Sequence, residues 1–219
     1  MNTINPLINY FASQGVPVET AVLILMLPII ATMIAFFRQV VGIKAFGIYT
    51  PLIVTFAFLA MGVNGIKYGI VIFVSVIFIG MIARFILKKF RLLYLPRVAI
   101  TLSVVAFSIL AILVFGGLLH RTGLAAVSIF PLLIMIAIVE KFVTAQIEKG
   151  NKAAILLAVE TLVISLIGYY LASWDFLTSV IIACPWVVLL TLPINFVLGK
   201  WTGLRFAEYF RFREILKKM

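Results

Sequence analysis

Long apolar runs separated by short charged clusters set the pattern of this chain. A helix that crosses a bilayer takes about 20 mainly apolar residues, each advancing about 1.5 Å through roughly 30 Å of hydrocarbon. Seven such runs lie between the charge clusters, at 18–37, 45–61, 68–87, 98–119, 123–139, 153–172 and 176–198. The second and fifth are short, and so are the connections. The pattern predicts an all-α polytopic membrane protein with seven transmembrane helices. A short extracytoplasmic N-terminus is expected over 1–17, the helical domain over 18–199 and a cytoplasmic tail over 200–219. Residues 1–17 lack the basic start of a signal peptide, so the first helix is expected to be retained.

Composition agrees with the pattern. Of 219 residues, 65% are apolar and 11% charged, and the mean hydropathy is +1.27. A soluble domain holds about 25% charged residues, so an aqueous core would leave too much of this surface wet. A single Cys and a single His exclude an internal disulfide and a Cys/His metal site.

The charge of +11 reads as topology. With the N-terminus outside, sixteen of the eighteen Lys and Arg fall in cytoplasmic segments, and only Lys67 and Arg121 fall outside. This bias predicts N-out, C-in, with the lipid bilayer and its anionic headgroups as partner and no nucleic acid.

Prolines fall within the predicted spans: Pro28 in the first, Pro51 in the second, Pro131 in the fifth, and Pro185 and Pro193 in the seventh. Each removes a backbone donor and frees a carbonyl that hydrocarbon cannot satisfy. Segment 42–51 packs Gly42, Lys44, Gly47, Tyr49, Thr50 and Pro51 into ten residues. It is expected to approach the second span as an irregular or partly re-entrant stretch, buried against other helices. A weak echo recurs at 123–132, where Ser128 aligns with Gly47 and Pro131 with Pro51. The two stretches open spans three apart, which suggests an inverted repeat of three helices plus an unpaired seventh. Such interrupted helices would face each other around a cavity.

Glu160 stands about eight residues into the sixth span, roughly 10–12 Å below the interface. A carboxyl group at that depth is paired, wetted or protonated. Two readings stay open: a functional acid, or a structural bond to a freed carbonyl or to an Arg such as Arg84. Glu140 is expected at the inner end of the fifth span, and Cys184 as a small buried residue. His120 and Arg121 fall at an outer turn. The sequence shows no nucleotide loop, no nucleophile–base set and no acidic metal cluster, so no catalytic residue, metal or cofactor is expected.

The tail carries Leu204, Tyr209, Phe212, Ile215 and Leu216 at near-helical spacing, with Arg205, Glu208 and Arg211 three apart. It is expected to form an amphipathic helix on the inner surface. Lipid anchoring or docking of a cytoplasmic partner would each use it.

Segments 42–51, Leu95-Pro96-Arg97, Phe130-Pro131, Glu140-Lys141 and 202–212 resemble a bacterial seven-helix membrane domain usually fused to an inactive transglutaminase-like domain. The resemblance covers nearly the whole chain. It implies helices that follow an extracytoplasmic transglutaminase-like domain, and an ATP-grasp ligase of the glutamate-adding type as a cytoplasmic partner. A fainter likeness, in the stretch ending at Pro51, is to the membrane subunit of poly-γ-glutamate capsule synthesis. The function implied is a non-catalytic membrane scaffold for peptide ligation or modification at the envelope. Its product would pass along a cavity lined by Glu160 and the 42–51 segment, and Arg205, Glu208 and Arg211 would dock the inner partner. The resemblance departs in one respect, because only about seventeen residues precede the first helix here, and the transglutaminase-like part is expected as a separate chain or not at all. Two other readings are a small proton-coupled transporter using Glu160 and a seven-helix signal-relay receptor.

Overall fold

Wherever these apolar runs cross hydrocarbon, each backbone polar group must find a partner inside the protein, and helices satisfy that locally. The structure, a computed structural model, describes residues 6–62, 65–90, 92–118 and 128–201. These form α1 (Pro6–Ser13), α2 (Val18–Phe36), α3 (Tyr49–Ala60), α4 (Gly65–Leu87), α5 (Tyr94–Leu118), α6 (Ile129–Lys149), α7 (Asn151–Ala172), α8 (Asp175–Ala183) and α9 (Thr191–Gly199). A π-helical turn, Phe37–Val41, extends α2, and a 3₁₀ helix, Pro185–Leu190, precedes α9. No strand occurs among the described residues.

Among the described residues five helices are long and apolar enough to cross a membrane: α2 with its π turn, α4, α5, α6 and α7. The seventh predicted span is a pair of shorter pieces bent by 104° between Ala183 and Pro185. The second predicted span is α3, with 12 residues; at about 1.5 Å per residue it reaches about 18 Å, short of a full crossing. The protein is thus an all-α, multi-pass membrane protein with seven apolar segments in the predicted order. The fifth lies further along than expected: α6 spans Ile129–Lys149 rather than ending at residue 139. Glu140 therefore lies along the helix and exposed, with more than two turns beyond it, instead of marking its end.

The prolines call for a correction. Pro193 lies within the unbroken helical stretch Pro185–Gly199, but Pro51, Pro96 and Pro131 each take the third position of their helix, and Pro185 opens the 3₁₀ helix. First-turn N–H groups have no intrahelical acceptor, so a residue without one costs nothing there. These prolines start helices rather than interrupt them. Pro28 stands in the interior of α2; its missing N–H frees the Ile24 carbonyl four residues back, while Thr32 Oγ1 donates to the Pro28 carbonyl itself at 2.7 Å.

The chain divides into two units. Ala45–Leu166 holds α3 to α6 and most of α7. Within it α4 packs on α5, α6 and α3, and α6 also packs on α3 and α5. Phe58 of α3 is fully buried and lies directly over Gly65 and Gly69 of α4. A Cβ at Gly65 would collide with the Phe58 carbonyl, and one at Gly69 with its ring. Glycines four apart let two helices meet this closely where lipid supplies no hydrophobic drive. The other unit joins Met1–Lys44 to Ile167–Met219. There α2 packs against α1, α8, the 3₁₀ helix and α9. Asn195 of α9 donates from Nδ2 to Thr32 Oγ1 at 2.7 Å and to the Thr191 carbonyl at 2.8 Å.

Candidate functional site

The polar residues of the Ala45–Leu166 unit converge where the turn at 45–48 leads into α3. Two of its residues take positive φ: Ala45 at 41° and Gly47 at 84°. Glycine adopts that region freely, whereas at Ala45 the conformation costs about 1–2 kcal/mol and must be held by something else. Side chains of α7 do so. Ala45 N–H donates to Glu160 Oε2 at 2.9 Å, and Phe46 N–H donates to Thr161 Oγ1 at 3.0 Å. Two successive backbone donors thus meet two successive side chains 115 residues away. Thr161 completes its valence by donating to the Leu157 carbonyl at 2.7 Å.

The contact continues along α3. Thr50 Oγ1 donates to the Phe46 carbonyl at 2.8 Å, capping the turn from its far side. The Pro51 carbonyl lies 2.9 Å from Thr55 Oγ1 and 3.1 Å from Ser165 Oγ. Thr55 Oγ1 also lies 3.2 Å from the Ser165 carbonyl, and Ser165 Oγ 2.8 Å from the Thr161 carbonyl. Thr50, Thr55, Thr161 and Ser165 are all buried. An apolar anchor accompanies this ladder. Phe46 packs against Phe142, Ala145, Ala154, Leu157 and Ala158, with the Phe46 and Phe142 rings edge to face at 6.5 Å. The arrangement holds a non-helical backbone segment inside a helical bundle; it gathers one carboxyl and several hydroxyls, and no nucleophile with a base. Among the described residues no three His, Cys, Asp or Glu side chains are grouped to hold a metal.

The structure brings together Glu160, Gly47, Thr50 and Pro51 of the sequence candidates. Tyr49 does not join them: it is 78% exposed. Gly42, at φ 92°, closes the π turn by donating to the Phe37 carbonyl at 3.0 Å, and with the exposed Lys44 it belongs to the other unit. Ser128 precedes α6 without a side-chain capping bond, while Pro131 is buried on a helix packed against α3. Arg84 reaches Asn151 Oδ1 at 3.3 Å. Cys184 is exposed, contrary to expectation, at the sharp bend where the helix breaks. His120, Arg121, most of the 123–132 echo, and Arg205, Glu208 and Arg211 lie outside the described residues. Sequence reasoning missed Phe46, Thr55, Thr161 and Ser165 as site residues. The signal was present in the i, i+4 spacing of Thr161 and Ser165 beside Glu160, which gives α7 one polar stripe.

The family model described as seven transmembrane helices usually fused to an inactive transglutaminase matches residues 4–216. The chain belongs to that family. No curated protein and no solved structure matched it. The family description counts seven helices; among the described residues five are straight spans, and α3 and the broken α8–α9 pair are further apolar segments. The turn at 45–48 and the polar stripe of α7 therefore sit inside the seven-helix domain itself.

Proposed function

We propose that this protein is a non-catalytic membrane scaffold that holds a transglutaminase-like partner on the extracytoplasmic side. The observation that carries the proposal is the usual fusion of the family's helices to an inactive transglutaminase. A helical domain kept beside an inactive enzyme fold is suited to placement rather than to turnover. The use of Glu160 and Thr161 to hold a backbone turn adds support, since it assigns the α7 carboxyl a structural duty.

On this reading the N-terminus lies outside and the C-terminus inside, as the lysine and arginine bias favours. The inner face, with Arg205, Glu208 and Arg211, docks an ATP-dependent ligase of the ATP-grasp type, and the product of peptide ligation passes beside α3. Affinity purification of the native protein from mild detergent tests the scheme. Both a ligase and a transglutaminase-like protein should co-purify in near-stoichiometric amounts, and charge reversal at Arg205 and Arg211 should release the ligase alone. Recovery of the chain without either protein, under conditions that preserve other membrane complexes, would overturn it.

The Ala45 bond also favours a scaffold over a proton-coupled transporter. Glu160→Gln keeps a carbonyl oxygen for Ala45 N–H but cannot carry a proton. Normal complex assembly in that variant supports the scaffold; loss of a pH-driven flux in proteoliposomes supports the transporter.

A further inference from the structure

Helix α6 carries an acid and a base side by side near the middle of its length, Glu140 and Lys141, and both are exposed. Their level is fixed by the helix behind them. A Cβ at Gly80 of α4 would lie 3.1 Å from Val139 Cγ1, so the pair stands beside Gly80, seven residues before α4 ends at Leu87. At about 1.5 Å per residue that is about 10 Å inside a helix long and apolar enough to cross a membrane. The long stem of a lysine can carry its ammonium toward the headgroups, whereas the short stem of Glu140 cannot cover that distance. A charged group held there against acyl chains is costly and calls for a partner. Among the described residues neither side chain has a hydrogen-bond or ion-pair partner; the bond from Thr144 Oγ1, at 2.8 Å, goes to the Glu140 backbone carbonyl.

The acid also lies on a seam. Leu133, Ala137, Glu140, Thr144 and Ile147 follow one another at steps of four, three, four and three, the spacing by which one helix seats along another. Leu133 is 53% and Ile147 40% exposed. Ala137 is exposed as well, and Thr144 is half-buried, bonded to Tyr94 Oη at 2.7 Å. The opposite face of α6, through Met135, Val139 and Phe142, is buried, so the seam faces outward from the Ala45–Leu166 unit.

Charge decides the occupant. A basic helix would pair Glu140 and repel Lys141, and an acidic one would do the reverse. A second copy of this chain, related by a two-fold axis along the membrane normal, sets Glu140 of each copy against Lys141 of the other, so both charges of both copies are paired. We propose that α6 is the contact helix of a homodimer within the membrane, with the 133–147 seam packed on its own copy and Glu140 paired to Lys141 across the axis. Ala137, small and central, lets the two helices approach closely.

Two differently tagged forms of the full chain, co-expressed and purified through one tag in mild detergent, test the pairing. Native copies should co-purify. Glu140→Lys paired with itself should lose about tenfold of that recovery, and so should Lys141→Glu paired with itself. Glu140→Lys paired with Lys141→Glu places opposite charges across the axis again and should regain most of it. A mixed pair recovered no better than either variant with itself would overturn the proposal, as would a native chain that runs as a monomer. Should a variant not fold, a second measurement keeps the native charges: Ala137→Cys in a Cys184→Ala chain, oxidised in native membranes, should crosslink to a species of twice the 24.3 kDa chain mass. Phe107→Cys in the same background replaces a 75% exposed side chain of α5 and should crosslink about tenfold less. Equal yields at the two positions, or no crosslink at residue 137, would overturn the proposal as well.

Discussion

Two apolar segments of this protein are broken, and they are repaired in different ways. Before α3 the chain turns at 45–48, and its exposed N–H groups are met by Glu160 and Thr161, far away in sequence. Between α8 and the 3₁₀ helix it bends by 104°, and the repair is local. Cys184 N–H donates to the Val180 carbonyl at 2.8 Å, Val187 N–H to the Cys184 carbonyl at 3.1 Å, and Thr191 Oγ1 to the Val188 carbonyl at 2.7 Å. Pro185 has no N–H to satisfy. The first break therefore depends on α7 for the bonds of Ala45 and Phe46, whereas Cys184, Val187 and Thr191 at the second bond to residues within a few positions. A break held from afar ties helices together; a break held locally only redirects the chain.

The largest effect is expected at the distant repair. Glu160→Leu leaves Ala45 N–H without its acceptor inside the bundle, where an unmade bond costs about 1–3 kcal/mol. It should lower the thermal transition of the purified protein by several degrees and open the 45–48 turn to proteolysis. Glu160→Gln, which restores an acceptor oxygen, should recover most of the loss. Equal damage from Leu and Gln would show that charge, not acceptance, matters. Thr161→Val comes next. It removes the acceptor for Phe46 N–H but keeps the shape, and the Phe46 ring remains fixed against Phe142. A loss of about 1 kcal/mol is expected, read as a smaller shift of the same transition.

That contrast also explains what the sequence reveals. Helix existence and order are legible because apolar run length alone decides them. The irregular character of 42–51 is legible from its two glycines and its proline. Proline placement is not, because apolar residues continue on both sides of each helix start and hide the boundary. Pro51 and Pro131 look like interruptions until Ile48 and Ser128 are seen just before the first turns. The depth of Glu160 is legible, but its partner is not: a backbone N–H leaves no mark in a sequence, while Arg84, the visible cation, turns to Asn151. The close approach of α3 to α4 could have been read from Gly65 and Gly69, four apart at the start of a long span.

The neutral link in the other unit ranks third. Asn195→Leu removes the donor to Thr32 Oγ1 and to the Thr191 carbonyl. Interhelical hydrogen bonds of this kind in membrane proteins contribute about 0.6 kcal/mol on average, and Thr32 keeps its own bond to the Pro28 carbonyl. The variant should shift the thermal transition by a degree or two, well below Glu160→Leu.

The smallest effect is expected at the local repair. Cys184 takes part in its break through backbone atoms alone: its N–H donates and its carbonyl accepts, and alanine supplies both. The thiol is exposed, so its loss opens no cavity in a packed interior. Cys184→Ala should therefore stay within about 0.5 kcal/mol of the parent, as surface substitutions generally do. The same thiol is the chain's one cysteine, which makes the claim checkable by labelling. A membrane-permeant maleimide should label the folded protein in detergent at a rate close to that of the Cys184→Ala, Phe107→Cys variant, whose thiol replaces a 75% exposed side chain of the α5 span. A labelling rate suppressed a hundredfold would mean that the bend is covered, and that the local repair also depends on distant packing.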